Sequence, residues 1–322
     1  MRVMKRYIPA AITLLLSVLC AHAQEWPAKG VRIIVPFAAG ATPDIVARLI
    51  AERLQEQLGQ TFIVENKPGA SGNAGTDAVA KAAPDGATIG VSIGGPLAIN
   101  TLLFAHLPYD PRKDLALITL LATQPSALAV NASLGVNNVP ELIELLRRNP
   151  NKYNFGSIGT GSLSQLAMEA IALKSGTKMV HIPYASSPQA VTALMRNEVQ
   201  MVCLPAISIA PQLGDGTIKL LAISTAQRSP LLPGVATLKE SGIDVQADAW
   251  MGLIAPAGVS DGAIAQINHL AGEAITSPAI RQKLFAQLME PIPGTPAQFR
   301  ARIDADIARW RTVIEAAKIK VE

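Results

Sequence analysis

An α/β fold with two mainly parallel sheets flanked by helices is predicted by three observations on this 322-residue chain. Short β-rich apolar runs alternate with amphipathic helical stretches from Val31 onward. A strand followed by a Gly-rich loop and a helix start occurs once in each half of the chain. The length suits two domains of ordinary size, and 49% hydrophobic residues suffice to give each a core.

The first unit opens on residues 31–36 (VRIIVP), a continuous apolar run of strand length. The loop Phe37, Ala38, Ala39, Gly40 and Ala41 follows, and Thr42-Pro43-Asp44 has the form of an N-cap with proline at the first helical position. Val46, Leu49, Ile50, Leu54 and Leu58 then recur at spacings of three and four along one helix face, and Gly59 ends it. Residues 61–65 give the next strand, a Gly-rich turn at 69–75 leads into a helix through Ala82, and 88–93 is a third strand. In the second unit Asn154-Phe155 enters the loop 156–161. Ser162-Leu163-Ser164-Gln165 there matches the capping-box pattern, and Leu163, Leu166, Ala167, Ala170 and Ile171 form the apolar face up to Gly176. Residues 200–204 and 218–223 read as strands, and 260–275 and 295–317 as helices. The last carries Phe299, Ile303, Ile307, Trp310 and Ile314, a stripe with the spacing of core packing.

The N-terminus stands apart from this pattern. Arg2, Lys5 and Arg6 precede a short apolar run over 8–19, and Ala21-His22-Ala23 supplies a small-x-small site. Those features make a cleavable secretory signal over 1–23, cut after Ala23. Cys20 does not fit an acylated lipoprotein site, because Leu19 stands where a small residue is required. Without the three leader cations the formal net charge falls from +4 to about +1, which leaves no electropositive field for nucleic acid or anionic lipid. Only Cys203 then remains, so no intrachain disulfide can form even in an oxidising compartment.

Enzyme chemistry finds no foothold in the motifs. His22, His106, His181 and His269 lack metal-ligand spacing with one another or with Cys203, so no metal is expected. Gly156-Ser157-Ile158-Gly159 lacks the G-x-S-x-G spacing of a nucleophile elbow. The glycines of 69–75 are spaced G-x-x-G-x-x-G, and no P-loop occurs, so no nucleotide cofactor is expected. What remains is two loops that each deliver a helix N-terminus, with unpaired N–H groups and the positive end of a helix dipole. Neither loop holds Lys or Arg, which points to a carboxylate held by neutral donors rather than a phosphate clamped by Arg. Glycine with a capping residue is also what any strand-to-helix turn requires. Asp44 has two readings, dipole complement or ligand orienter; Ser162 reads first as an N-cap. Tyr184 fits either a cleft wall or a domain edge, and Cys203 fits a small buried hydrophobe.

Taken together, the segments resemble the Bug proteins, the periplasmic receptors of tripartite tricarboxylate transporters, over essentially the whole chain after the leader. The matching stretches include 35–40 (VPFAAG) with Asp44, 64–70 (VENKPGA), 84–86 (PDG), 107–111 (LPYDP), 159–162 (GTGS), 181–184 (HIPY), 221–224 (LAIS) and 250–258 (WMGLIAPAG). Each is weak alone, but their order and spacing together are specific. The resemblance implies a two-lobed periplasmic binding protein of Venus-flytrap, type II-like form. Lobe 1 is expected at 24–126 plus 254–322 and lobe 2 at 127–253, with crossings near 127–131 and 250–256.

The same resemblance implies a monomeric, non-enzymatic receptor that captures a small carboxylate and delivers it to integral membrane permease subunits. A sensing subunit for a signalling system is the alternative. The expected ligand-binding residues are Phe37, Ala38, Ala39, Gly40, Ala41 and Asp44 in the first loop, and Ser92 and Gly94 at the end of the third strand. Ser157, Gly159, Thr160, Gly161, Ser162 and Tyr184 complete the set from the other lobe. Four departures fall near the expected cleft. The family pattern has Gly-Gly where this chain has Gly40-Ala41, so the Cβ at Ala41 is expected to shift the loop or restrict positive φ. Gln165 replaces a His, Ala185-Ser186 replaces Lys-Gly, and an Asp-Asn is missing around Cys203.

Overall fold

The computed structural model describes residues 26–321 apart from Ala28; the expected leader over 1–23 and its expected cleavage site after Ala23 lie outside the described residues. The chain runs β1 (Val31–Val35), α1 (Thr42–Leu58), β2 (Phe62–Asn66), α2 (Asn73–Ala80), β3 (Thr88–Ile93), and a π-helical turn that continues into α3 (Asn100–Leu103). β4 (Leu115–Gln124) and β5 (Ser126–Asn131) follow, then α4 (Val139–Arg148), β6 (Asn154–Ser157), α5 (Leu163–Ser175), β7 (Val180–Pro183), α6 (Ser187–Met195), β8 (Met201–Pro205), α7 (Ala206–Ile209) and β9 (Ile218–Ile223). β10 (Ala249–Pro256), α8 (Asp261–Thr276), α9 (Pro278–Phe285), β11 (Glu290–Pro291) and α10 (Pro296–Ala317) complete it.

These strands form two sheets, ordered β11-β4-β10-β3-β1-β2 and β7-β6-β8-β5-β9. Each has a three-strand parallel block, β2-β1-β3 or β7-β6-β8, built from strand-helix-strand units. β4, β5, β10 and β11 join antiparallel, so the sheets are mixed rather than mainly parallel. The reason is connectivity: a strand that leaves one sheet for the other has no crossover helix to return it in the parallel sense.

The chain changes sheet twice, at Pro125 between β4 and β5 and in the segment between β9 and β10. Residues 127–131 therefore lie inside strand β5 of the second sheet, and 250–256 inside β10 of the first, rather than at free crossings. Each sheet is covered on both faces. Val46, Ile50 and Leu54 of α1 and Ile267, Ala271 and Ile275 of α8 pack one face of the first sheet. Phe299, Ile303 and Ile307 of α10 pack the other, with Val79 and Trp250.

Helix α10 does not stay with the first sheet. Its later residues Trp310, Val313 and Ile314, with Ile319 beyond its end, belong to the core of the second, beside Leu166, Ile171 and Phe155. One 22-residue helix thus anchors in both cores. A regular helix of that length spans about 33 Å, enough to reach across two adjoining domains. Its start is fixed by a full capping box, in which Thr295 and Gln298 satisfy each other's backbone N–H groups. Gly252 lets β10 lie against it, because a Cβ there would collide with the Phe299 ring.

Candidate functional site

The first loop is shaped by one glycine and one buried acid. Gly40 takes φ +81, and its N–H donates to Asp44 Oδ2 at 2.9 Å. Arg48 Nε donates to the same oxygen at 3.0 Å, and Asn66 Nδ2 donates to Oδ1 at 2.9 Å and to the Phe37 carbonyl at 3.0 Å. Burial pushes the Asp44 carboxyl upward, but the hydrogen bonds from Arg48, Gly40 and Asn66 outweigh it and hold it below its ordinary value. Of its two sequence readings, Asp44 takes the structural one: it clamps the loop from below and stands outside the cavity wall. The N-cap is Ala41, one residue before the expected Thr42, with φ −69 and ψ 156. That extended backbone suits a residue with a Cβ, so Ala41 does not need positive φ; Gly40 supplies the left-handed turn.

The second loop is tied by hydroxyls. Ser162 Oγ accepts from Gln165 N at 3.3 Å and donates to the Gly159 carbonyl at 2.6 Å, while Ser164 Oγ accepts from Ile158 N at 3.0 Å. Gln165 departs from the expected box, since its side chain accepts from Gly161 N at 2.8 Å rather than from the cap residue. Ser157 is fully buried and 2.6 Å from His181 Nε2, which stacks on Phe155. Burial lowers the His181 pKa. This Ser–His contact lies behind the loop, so its hydroxyl cannot reach a substrate.

The two loops meet at a cavity of about 470 Å³. Ala41, Thr42 and Pro43 bring the α1 N-terminus to its wall, and Gly161, Ser162, Leu163 and Ser164 bring that of α5. Of the expected residues, Phe37, Ala41, Gly94, Thr160, Gly161 and Ser162 line it. The other eight do not. Ala38, Ala39 and Gly40 face solvent, Asp44 and Ser157 are buried beneath their loops, and Ser92 is buried 3.2 Å from the Thr76 hydroxyl. Gly159 serves as a hydroxyl acceptor at φ +115. Tyr184 packs the domain edge beside Gly156, with its N–H donating to the Ser157 carbonyl at 2.9 Å.

Much of the wall had no signal in sequence. Ile99, Asn100, Leu103 and Phe104 come from the helical segment after β3, and Gln124 and Ser126 flank the change of sheet. Asp248, Trp250 and Met251 come from the strand that returns to the first sheet, and Asp306 and Val321 from the C-terminal region. Only the segment around Trp250 carried a motif, and spacing alone gave it no role. Cys203 also touches the wall, with burial pushing its thiol up to about 12, which makes it inert at neutral pH.

The wall's formal charges are acidic, each paired with an arginine that lies outside the wall. Its charged residues are Asp248 and Asp306, and among the described residues no Lys or Arg lines it. Asp248 accepts from Thr123 Oγ1 at 2.7 Å, Gln246 Nε2 at 2.9 Å and Arg302 Nη2 at 3.0 Å. Burial pushes its carboxyl upward, but the Arg302 charge and these bonds hold it below its ordinary value. Asp306 accepts from Arg309 at 2.6 Å and from Trp250 Nε1 at 2.7 Å, and burial carries its carboxyl above its ordinary value against those partners. Gln124, Ser126 and Asn100 donate to the Gln287, Ala247 and Ser71 carbonyls and, from Asn100, to the Asn73 side chain. Among the described residues the hydroxyls of Thr42, Ser71, Thr160 and Ser187 remain without a protein partner at the wall.

Comparison with known proteins gives a consistent result. The family model for the tripartite tricarboxylate transporter family receptor matches residues 46–319. A UPF0065 protein of Bordetella bronchiseptica is 34% identical over 311 residues, covering 97% of this chain and 92% of that protein. Among solved structures, an R. palustris protein with adipate superposes with TM-score 0.80 at 32% identity, covering 92% of this chain and 99% of the other. MatC from Rhodopseudomonas palustris with bound malate gives 0.75 at 29%, covering 90% and 100%.

Proposed function

The chain belongs to the tripartite tricarboxylate transporter receptor family, and from that premise we propose that it captures a small carboxylate solute between its two sheets and delivers it to the integral membrane subunits of such a transporter. Proteins of this family are periplasmic solute receptors, not enzymes. The observation that carries the proposal is the meeting of two helix N-termini, α1 from the first sheet's lobe and α5 from the second's, at one cavity without a basic wall residue among the described residues. Helix N-termini bind anions through free N–H groups and the dipole, so a carboxylate can be held without a cation. The adipate and malate in the two structural neighbours agree with that chemistry.

In this reading Phe37, Ala41, Gly94, Thr160, Gly161 and Ser162 contact the solute, joined by Thr42 and Ser71. Ala38, Ala39, Gly40, Asp44, Ser157 and Gly159 hold the two loops in shape, and Ser92 and Tyr184 support them from behind. The leader over 1–23 directs export and is removed after Ala23. Two lobes close on the solute as a monomer, each lobe built on one sheet, with the sheet changes at Pro125 and before β10 as the moving joints. The test is thermal melting of the purified mature protein, stripped of bound solute, against a panel of organic acids. Ligand at a hundredfold excess over Kd stabilises the native state by about 2.7 kcal/mol, so the melting temperature must rise with some carboxylate. No shift with any acid at millimolar concentration would refute the proposal. Delivery is tested separately by uptake of the labelled acid in a deletion strain with the permease expressed, where loss of uptake is expected and a pure sensor would leave it intact.

A further inference from the structure

We propose, on the carboxylate-receptor reading above, that Asp306 takes up a proton when the cavity captures its carboxylate solute, so that the solute is held more tightly as pH falls. The helix ends hold the solute, and Asp306 makes that hold depend on pH.

Three observations carry the proposal. The first is where the charges lie. Asp248 and Asp306 line the cavity, while Arg302 and Arg309, which pair with them, stand outside its wall. A carboxylate seated between the two helix ends therefore meets the acids ahead of their cations. A like charge brought near a carboxyl favours its neutral form. By reciprocity, the neutral form favours the solute by the same factor.

The second observation is which acid can give up its charge. Asp248 accepts from Thr123, Gln246 and Arg302, and Arg302 Nη2 lies 3.0 Å away with 18% of its side chain exposed. Neutralising Asp248 would strand that buried guanidinium. Asp306 is placed differently: Arg302 Nε is 3.6 Å from it, and its close cation, Arg309, keeps 28% of its side chain exposed. Water can hydrate Arg309 once the Asp306 carboxyl is neutral. Trp250 Nε1 donates to Asp306 Oδ2 at 2.7 Å, and a protonated acid keeps an oxygen that accepts that bond. Burial lifts the Asp306 carboxyl above its ordinary value of 3.8, whereas Asp248 is held below it.

The third observation is what surrounds Asp306, which is 4% exposed. From its own helix it faces Arg302 and Arg309, and from the segment entering β10 it faces Asp248. β4, α3 and the π-helical turn also pack on α10 and bring no titratable side chain. α5 brings Glu169, half-buried and off the cavity wall, and the exposed Lys174. Among the described residues Asp306 is thus the acid that both reaches the solute and has a cation that solvent can take over.

The experiment is calorimetry on the folded protein, stripped of bound solute, with a panel of organic acids that includes malate, adipate, citrate and benzoate. The acid that binds most tightly is titrated between about pH 7.5 and 4.5 in buffers of different ionisation heat. Protons taken up are counted after the acid's own titration is subtracted. Wild type should take up a growing fraction of a proton as pH falls, its affinity gaining up to about tenfold per pH unit where Asp306 titrates. Asp306→Asn, neutral at every pH, should bind about tenfold more tightly than wild type at neutral pH and lose the uptake. Glu169→Gln should keep the wild-type profile. A folded Asp306→Asn that binds no more tightly than wild type, or that keeps its proton uptake, overturns the proposal and leaves the receptor reading standing. Where that variant does not fold by circular dichroism, the wild-type count decides: uptake supports the proposal, and its absence overturns it. Failure of every acid to bind folded wild type at any pH overturns both readings.

Discussion

At the level of single residues, Asp44 and Gly161 decide how the two loops are presented. Asp44 is 2% exposed and accepts three kinds of donor, from a backbone amide, a guanidinium and an amide side chain. Asp44→Asn removes the charge from this clamp and should lower stability at neutral pH by about 1 to 3 kcal/mol, the usual range for a buried hydrogen bond to a charged group. Because the folded carboxyl is held below its unfolded value of 3.8, its contribution is complete above that value and disappears as pH falls through the folded one. Melting curves of wild type and variant should therefore converge below about pH 3.8 and stand furthest apart near neutrality. Gly161 sits at φ +77, and a Cβ there would meet Leu103 Cδ1 at 2.7 Å and Val321 Cγ2 at 2.9 Å. Gly161→Ala adds a left-handed penalty of about 1 to 2 kcal/mol and wedges the α5 loop away from α3 and the C-terminal residues. Calorimetry should show weakened ligand binding beyond the loss in melting temperature.

At the level of elements, β10 and α10 are joined by more than packing. Asp248 and Trp250 on or beside the strand meet Arg302, Asp306 and Arg309 on the helix in one buried polar network. Arg302 lies mostly out of solvent, at 18% side-chain exposure, between the two carboxylates. Removing one partner of such a network leaves uncompensated buried charge, so Arg302→Met should cost about 3 to 5 kcal/mol in urea unfolding. A loss under about 1 kcal/mol would show that the network is solvated and unimportant to stability.

At the level of the whole molecule, the placement of α10 couples the two halves. Its Phe299 and Ile303 share a core with Val79 and Trp250, and its Trp310 and Val313 share the other with Leu166 and Phe155. Neither core is complete without the helix, so the protein should unfold in a single calorimetric transition even without ligand. Two resolved transitions would show that the halves are energetically independent. Trp310→Ala, which empties a residue that is 1% exposed, should lower that single transition by about 3 to 5 kcal/mol rather than split it.

The sequence by itself determined the elements whose signals are local. β9 falls on residues 218–223 as expected, α1 ends at Gly59 in the left-handed conformation that only glycine adopts freely, and both Gly-rich loops lead into helices. Six of the expected contact residues reach the cavity because a loop between a strand and a helix necessarily presents its tip at the strand's end. Only the tertiary structure decided the rest. β4, β5 and α3 lack a diagnostic flank, so their assignment waited on the neighbours they pair with or pack against, whereas α4 is flanked by an Asn138 cap and Pro140 and its signal is local. Whether a polar side chain faces the cavity or its own backbone depends on where the partner lies, as Asp44 and Ser157 turned inward show. Asp248 and Asp306 are 58 positions apart in the chain, and no spacing rule joins them; the strand and helix that carry them meet only when both sheets have formed. Local physics writes loops and caps into a sequence, but the charge balance of a cavity is a sum over distant segments and exists only in the fold.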